Sequence, residues 1–387
     1  MTAVLRLKRG RDERARTHPW IFKADVADVG AAAPGSAVTI VDASGRFVGR
    51  GLFNPRPALC CRIVTWQDEP VDEGLVRRRV RTAVSRRGDG PPALGRYVWS
   101  EADGLPGAVA DRYGEVLVIQ CLTLGMALRR EALVAALRGV AGDLPVFSAD
   151  DDTPATLEGF EPRRGWVDRE GPSRVVVEEG GVRLAVTPGA GHKTGLYLDQ
   201  RDNRLRIGAL ARGRDVLDAF AYTAAFACHA LAAGARRALC LESSPEAIEA
   251  ARANLALNGA ADRAEVVGGN AFDALRRLER ERARFGLVVL DPPPFARGRT
   301  TLEAAARGYK EINLRAMRLL EPGGTLATFS CSHHVGVSMF EEICRSAAAD
   351  AGVQLRVVAP LGQAADHPVL LTVPETGYLK GLLLQTW

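Results

Sequence analysis

A chain of 387 residues exceeds what one hydrophobic core organises, so two or three domains are expected. Its 47% hydrophobic and 25% charged residues match average globular composition, and no apolar run reaches the ~20 residues of a membrane span. The net charge is +5, yet residues 1–100 alone carry 18 Lys and Arg against 10 Asp and Glu, so the remainder is acidic. That asymmetry gives the first part an affinity for an acidic partner such as nucleic acid. The amino terminus shows no apolar leader, and seven scattered cysteines form no CxxC pair. A cytoplasmic chain with reduced thiols is expected, with neither disulfides nor a metal site.

Residues 1 to about 66 alternate short strand-like runs with turn formers, and Gly35 to Val48 reads as a hairpin around Ala43-Ser44-Gly45. A basic helix follows over 75–87: apolar positions 75, 76, 80, 83 and 84 share one face and leave arginines on the other. Residues 95–185 mix strands and helices, with a strand over 115–122, a helix over 128–140 and two strands over 173–186 joined at Gly180-Gly181. Beyond that a regular β-α alternation predicts a doubly wound sheet, with strands at 215–220, 237–242, 264–268, 285–291 and 325–331. Two apolar runs in the tail, 369–373 and 379–384, are expected to close the sheet as a hairpin.

Open sheets of this kind bind ligands at the carboxyl ends of their strands, so those ends carry the candidate site. The first ends at Asp218 with no glycine over 215–226, which argues against a dinucleotide, whose pyrophosphate needs close backbone approach. S-adenosylmethionine has no phosphate and suits such a loop. The second strand ends at Glu242, placed to accept hydrogen bonds from both ribose hydroxyls. The third ends at Asn270, facing the adenine edge, with Phe272 to flank the ring. An acid after a strand is most often a helix cap, but three such residues at successive strand ends favour a cofactor site.

The fourth and fifth strands end at Asp291-Pro292-Pro293-Pro294-Phe295 and Ser330-Cys331-Ser332-His333-His334. A thiolate adding to carbon 6 of a pyrimidine turns carbon 5 into a nucleophile, and Cys331 fits that role. Asp291 is placed to hold the ring-nitrogen edge and stabilise developing charge. A competing reading takes Asp291 as the acceptor for an exocyclic amine, although the third proline displaces Phe295 by one residue. His333 and His334 are expected to pack or cap the next helix, and the other six cysteines to lie in the core.

These residues resemble the bacterial family of large-subunit (23S) ribosomal RNA cytosine-5 methyltransferases with an N-terminal PUA domain. The likeness runs through Arg9-Gly10-Arg11, His18-Pro19-Trp20-Ile21-Phe22, Gly49 to Pro55, Glu101 to Gly107 and Asp111 to Gly114. It is most specific over Gly191 to Arg204 and ends with Asp291-Pro292-Pro293 and Ser330-Cys331-Ser332-His333. The resemblance implies an α/β fold: a β-barrel PUA domain over 1–66, a small central α/β domain over 67–186 and a Rossmann-like class I methyltransferase domain over 187–387. It implies Cys331 as nucleophile and extends the cofactor contacts to Lys193, Gln200, Arg201, Phe220, Tyr222, Ser243, Ala271 and Asp291. Where the family usually has two glycines this chain has Ala224-Ala225, and Asn270 replaces an Asp, so cofactor affinity is the property expected to differ. The implied partner is ribosomal RNA, free or in an assembling large subunit. A non-catalytic assembly factor is the alternative of another class, and the oligomeric state is open, a homodimer included.

Overall fold

The computed structural model describes residues 2–190, 194–295 and 302–387. The chain divides into two compact units. One comprises Met1–Val176, Val186–Leu198 and Ala365–Gly377; the other comprises Val177–Ala185, Asp199–Ala364 and Tyr378–Trp387.

The first unit holds two sheets. A six-stranded sheet runs in the order Trp20–Phe22, Leu59–Thr65, Phe47–Phe53, Ala37–Val41, Ala3–Leu7, Val26–Asp28. Alternating residues of these strands, among them Leu5, Leu7, Val38, Ile40, Cys61 and Ile63, build its core. A five-stranded sheet follows, ordered Arg164–Trp166, Val146–Ala149, Val116–Cys121, Ala108–Tyr113, Leu94–Trp99. The basic helix spans Glu73–Ser85, starts where Asp72 accepts a hydrogen bond from Leu75 N–H, and buries Leu75, Val76, Val80, Ala83 and Val84. Those are the five positions that the helical period selects. Within this unit the ion pairs Arg87–Asp103, Arg96–Asp111 and Arg130–Asp150 are almost fully buried.

The second unit is a seven-stranded sheet flanked by helices. Its strands are β1 (Asp215–Ala219), β2 (Arg237–Glu242), β3 (Ala264–Gly268), β4 (Phe285–Leu290), β5 (Leu320–Ser330), β6 (Leu355–Gly362) and β7 (Lys380–Thr386). Its main helices are α1 (Arg201–Gly208), α2 (Ala225–Ala232), α3 (Pro245–Leu257), α4 (Ala271–Arg280), α5 (Leu302–Arg318) and α6 (Val337–Ala351). The strand order is β3-β2-β1-β4-β5-β7-β6, parallel except at β7, which is antiparallel to both neighbours. Chain order reverses between β1 and β4, the crevice where such sheets place ligands. Every residue of β4 is buried, as its unbroken apolar run requires of a strand covered on both faces.

The tail departs from expectation. Residues Val369 to Val373 form no strand beyond an isolated Leu370–Val373 bridge, and Leu371 is 97% exposed. The hairpin partner of β7 is β6 instead. Pro360 obscures that strand in the sequence, and it is tolerated because β6 lies at the sheet edge, where a missing donor breaks no inner ladder. The helix expected over 128–140 forms as Arg130–Ala141, preceded by a separate short turn of helix, Leu124–Ala127, capped by Thr123.

Candidate active site

The strand ends of the second unit bring most of the expected residues into one neighbourhood. Asp218, in β1, is fully buried; one carboxylate oxygen accepts from Ala227 N–H in α2 at 3.1 Å. Its other oxygen has no hydrogen-bond partner. Burial raises this carboxyl to about 8, and the charges of Asp291 and Glu242 push the same way. Asp218 thus senses the carboxylates at the ends of β2 and β4, a local excess of negative charge that calls for a cation.

Glu242 is held rigidly by backbone. One oxygen accepts from Tyr222 N–H at 2.7 Å; the other accepts from Ser243 N–H at 2.7 Å and Ser244 N–H at 2.9 Å. Ser243 therefore acts through its amide, and its side chain is exposed. Burial, reinforced by Glu242, raises the half-buried Tyr222 phenol. Asn270 is the N-cap of α4: its carbonyl oxygen accepts from Phe272 N–H at 2.8 Å, so the acceptor expected for adenine is already engaged with the helix. Its second lone pair retains acceptor capacity. Ala271 is buried in the first turn of α4.

Phe220, Phe272 and Phe295 are half-buried and meet edge to face or tilted, with centroids 6.4, 6.3 and 5.6 Å apart. Phe295 also rests on Tyr309 of α5 at 4.6 Å. Despite the third proline, the aromatic after Asp291 reaches this cluster. Gln200 is buried and accepts from Asn203 at 2.6 Å, while its own amide nitrogen has no partner. Arg201 is half-buried and 3.6 Å from Asp202. Lys193 lies outside the described residues.

Cys331 follows β5 directly. It is the one cysteine of the seven that is not buried. Its Sγ lies 3.8 Å from the carbonyl oxygen of Pro292, so the thiol stands against the Asp291-Pro292-Pro293 turn. Asp291 N–H in turn bonds Ala219 O at 3.4 Å, tying that turn to the end of β1. His333 and His334 are exposed rather than packed in the core, and Gly336 caps α6 in their place; the His333 ring meets that of Tyr378 at 5.9 Å.

Three features escape a reading by motif. Glu179, from the hairpin Val175–Glu179/Val182–Val186, accepts from Arg204 at 2.6 and 2.7 Å and pairs with His229 at 2.9 Å. Arg204 also senses Asp199 and Asp291, which links this buried ion cluster to the site. Tyr309 hydrogen-bonds Ser332 at 3.0 Å. Lys380 stands as a charged residue in an apolar strand, the only sequence signal it offers.

S-adenosylmethionine brings a sulfonium and an ammonium to answer the carboxylate excess, a carboxylate to engage buried donors, and ribose hydroxyls for Glu242. The unpartnered Asp218 oxygen and Gln200 amide are the kind of groups such a cofactor would satisfy. The residues present fit it.

The arrangement defines an α/β methyltransferase, and comparison with known proteins agrees. The family described as S-adenosylmethionine-dependent methyltransferase matches residues 161–383, and a PUA-like domain matches residues 5–66. The chain is 37% identical to "Ribosomal RNA large subunit methyltransferase I" of Alteromonas mediterranea, over 100% of this chain and 99% of that protein. It is 38% identical to the protein of that name from Klebsiella pneumoniae, covering 97% and 96%. The solved structure of SMU.776 complexed with SAH superposes with a TM-score of 0.86 over 100% of both chains at 18% identity, which speaks for the fold. The chain belongs to the S-adenosylmethionine-dependent methyltransferase family whose members are named ribosomal RNA large subunit methyltransferase I. Its cofactor is S-adenosylmethionine.

Proposed function

We propose that this protein methylates carbon 5 of a cytosine in large-subunit ribosomal RNA through a transient covalent bond to Cys331. The observation that carries the reading is the position of that thiol: partly exposed, at a strand end and against the turn that holds Asp291. The relatives' name, ribosomal RNA large subunit methyltransferase I, supports the RNA class. When bound, the cofactor supplies an electrophilic methyl group. Cys331 adds to carbon 6, the double-bond electrons move to carbon 5, and carbon 5 becomes nucleophilic. Asp291 holds the ring-nitrogen edge and stabilises charge there. Loss of the carbon-5 proton then re-forms the double bond and expels the thiolate.

Lys193, Gln200, Arg201, Asp218, Phe220, Tyr222, Glu242, Ser243, Asn270, Ala271, Phe272 and Asp291 are proposed as the cofactor's surroundings. We assign RNA binding to residues 1–66, a central domain to 67–186 and catalysis to 187–387. Base flipping or an unpaired target is implied, since a stacked cytosine hides carbon 6. We place the work in the cytoplasm, on free RNA or an assembling particle; among the described residues no helix is long and apolar enough to cross a membrane. A homodimer is compatible with this scheme, and sedimentation reads it directly.

One observation favours a second reading. Phe295 reaches the Phe220–Phe272 cluster, as an aromatic that stacks on a target base beside an amine-accepting Asp291 would. Cys331→Ala decides between them. Carbon-5 transfer to ribosomal RNA, read by mass spectrometry of nucleosides, disappears in that variant; amine transfer survives it. A non-catalytic assembly role requires that calorimetry detect no S-adenosylmethionine binding at millimolar concentration.

A further inference from the structure

The segment after Cys331 is gripped by one buried lysine. Lys380 opens β7 and pairs across the antiparallel ladder with Ser330. Its side chain is 9% exposed, and Nζ donates to Ser332 O at 2.7 Å and Val335 O at 2.8 Å. Those carbonyls bracket the turn that begins one residue after the thiol. The same lysine therefore fixes the backbone carrying Cys331 and delivers a positive charge next to it. Burial lowers this ammonium to about 8, and the Cys331 thiolate works against that drop, so each group feels the other's charge.

The surrounding groups make this cation the notable one. From β4, Asp291 brings negative charge, and from α5 the Tyr309 hydroxyl bonds Ser332. His333 and His334 lie on the turn itself, Tyr378 meets the His333 ring, and Arg204 senses Asp291 from α1. A thiol flanked by a carboxylate and a phenol resists ionisation, whereas the reaction needs the anion.

We propose that Lys380 is a positioning residue for methyl transfer: it locks the Ser332–Val335 turn and places a cation beside Cys331, which favours the anionic form of the nucleophile that adds to carbon 6. This rests on the covalent reading of Cys331. The thiol proton leaves to solvent before addition. Sulfur's pair forms the bond to carbon 6 as the carbon 5–carbon 6 π pair shifts to carbon 5; on release the carbon 5–hydrogen pair re-forms the double bond and the sulfur–carbon 6 bonding pair leaves with sulfur. Lys380 stays protonated throughout and gains no bond.

Alkylation of the full-length protein by iodoacetamide, followed against pH without RNA, tests this. Six of the seven cysteines are buried, so label concentrates on Cys331 and peptide mass spectrometry locates it. In Lys380→Met, which keeps the apolar stem, the inflection of the alkylation profile is expected to rise by about one pH unit. Reactivity at pH 7 then falls roughly five- to tenfold, and Lys380→Arg restores most of it. An unchanged profile in a folded Lys380→Met protein overturns the proposal and leaves Lys380 a structural cap. Should that variant not fold, the wild-type profile is compared with that of the urea-unfolded chain. A Cys331 inflection no lower than the unfolded one overturns the proposal as well. If Cys331→Ala still methylates RNA, the carbon-5 reading fails on its own, because the alkylation profiles report the Lys380–Cys331 coupling independently.

Discussion

Replacing Arg204 by methionine strips the cation from a carboxylate that the fold has taken out of water. Glu179 and Arg204 are 3% and 2% exposed and share hydrogen bonds of 2.6 and 2.7 Å, with His229 a further partner of the carboxylate. Breaking one side of such a buried pair costs about 3–5 kcal/mol, because the remaining charge is stranded. Burial alone would raise the Glu179 carboxyl, but the charge and hydrogen bonds of Arg204, with help from His229, lower it from 4.5 to about 2. A displacement in that direction is worth on the order of 3 kcal/mol. A lowered folded-state value means the stabilisation is present above pH 4.5 and is lost as pH falls towards 2. Urea unfolding followed by circular dichroism at pH 7 reads the loss, and repeating it down to pH 3 reads the slope. The double variant Glu179→Met/Arg204→Met removes both charges and is expected to recover part of the stability. A loss below about 1 kcal/mol in Arg204→Met, or a double variant as unstable as the two singles added, refutes the reasoning.

Three further outcomes are expected. Cys331→Ala lowers methyl transfer by at least about a thousandfold while calorimetric affinity for S-adenosylmethionine stays within about twofold. Asp218, raised to about 8, holds its proton at neutral pH in the folded chain and loses it in the unfolded one, so stability from this group declines as pH climbs from 3.8 towards 8. Binding the cationic cofactor should therefore release protons near pH 7, seen as a dependence of calorimetric heat on buffer ionisation enthalpy; Asp218→Asn removes the dependence and weakens binding. Exchanging Arg77, Arg81 and Arg86 for serine leaves the melting temperature within a few degrees, since all three are exposed. It should reduce the slope of log RNA affinity against log salt by about 2, at ~0.7 per phosphate contact on single strands.

Periodicity and strand-end chemistry carry far in this chain because the sheet is regular. Five parallel strands announce themselves as apolar runs, and their carboxyl ends fix where Asp218, Glu242, Asn270, Asp291 and Cys331 stand. What escapes is set by contacts distant in sequence. Glu179 reads as one more charge on a hairpin until Arg204, 25 residues away, and His229, 50 residues away, close on it. Lys380 pairs with a turn 45 to 48 residues upstream, and its charge in an apolar strand is the one local mark it carries. The tail misleads for a related reason. Val369 to Val373 has strand composition but belongs with the first unit, whereas β6 hides behind a proline that only an edge position tolerates.

The loop from β1 to α2 shows how a site can do without the glycines its family usually carries. Phe220, Tyr222 and Ala224 take φ of 64°, 49° and 57°, three left-handed residues at alternate positions. Each costs a side-chain-bearing residue about 1–2 kcal/mol. Methyls at 224 and 225 are expected from sequence to narrow the cofactor pocket, yet Ala224 is fully buried and Ala225 is 7% exposed, so both pack into the protein. The cost falls on the backbone instead, and neighbouring bonds offset it. Tyr222 N–H is taken by Glu242, Ala221 N–H by Leu241 O at 3.0 Å, and Ala227 N–H by Asp218. Two of the carboxylates assigned to the cofactor thus also hold the contorted loop. That double duty explains how alanine serves at 224, and why a change at Asp218 or Glu242 is expected to disturb the loop along with the proposed cofactor contacts.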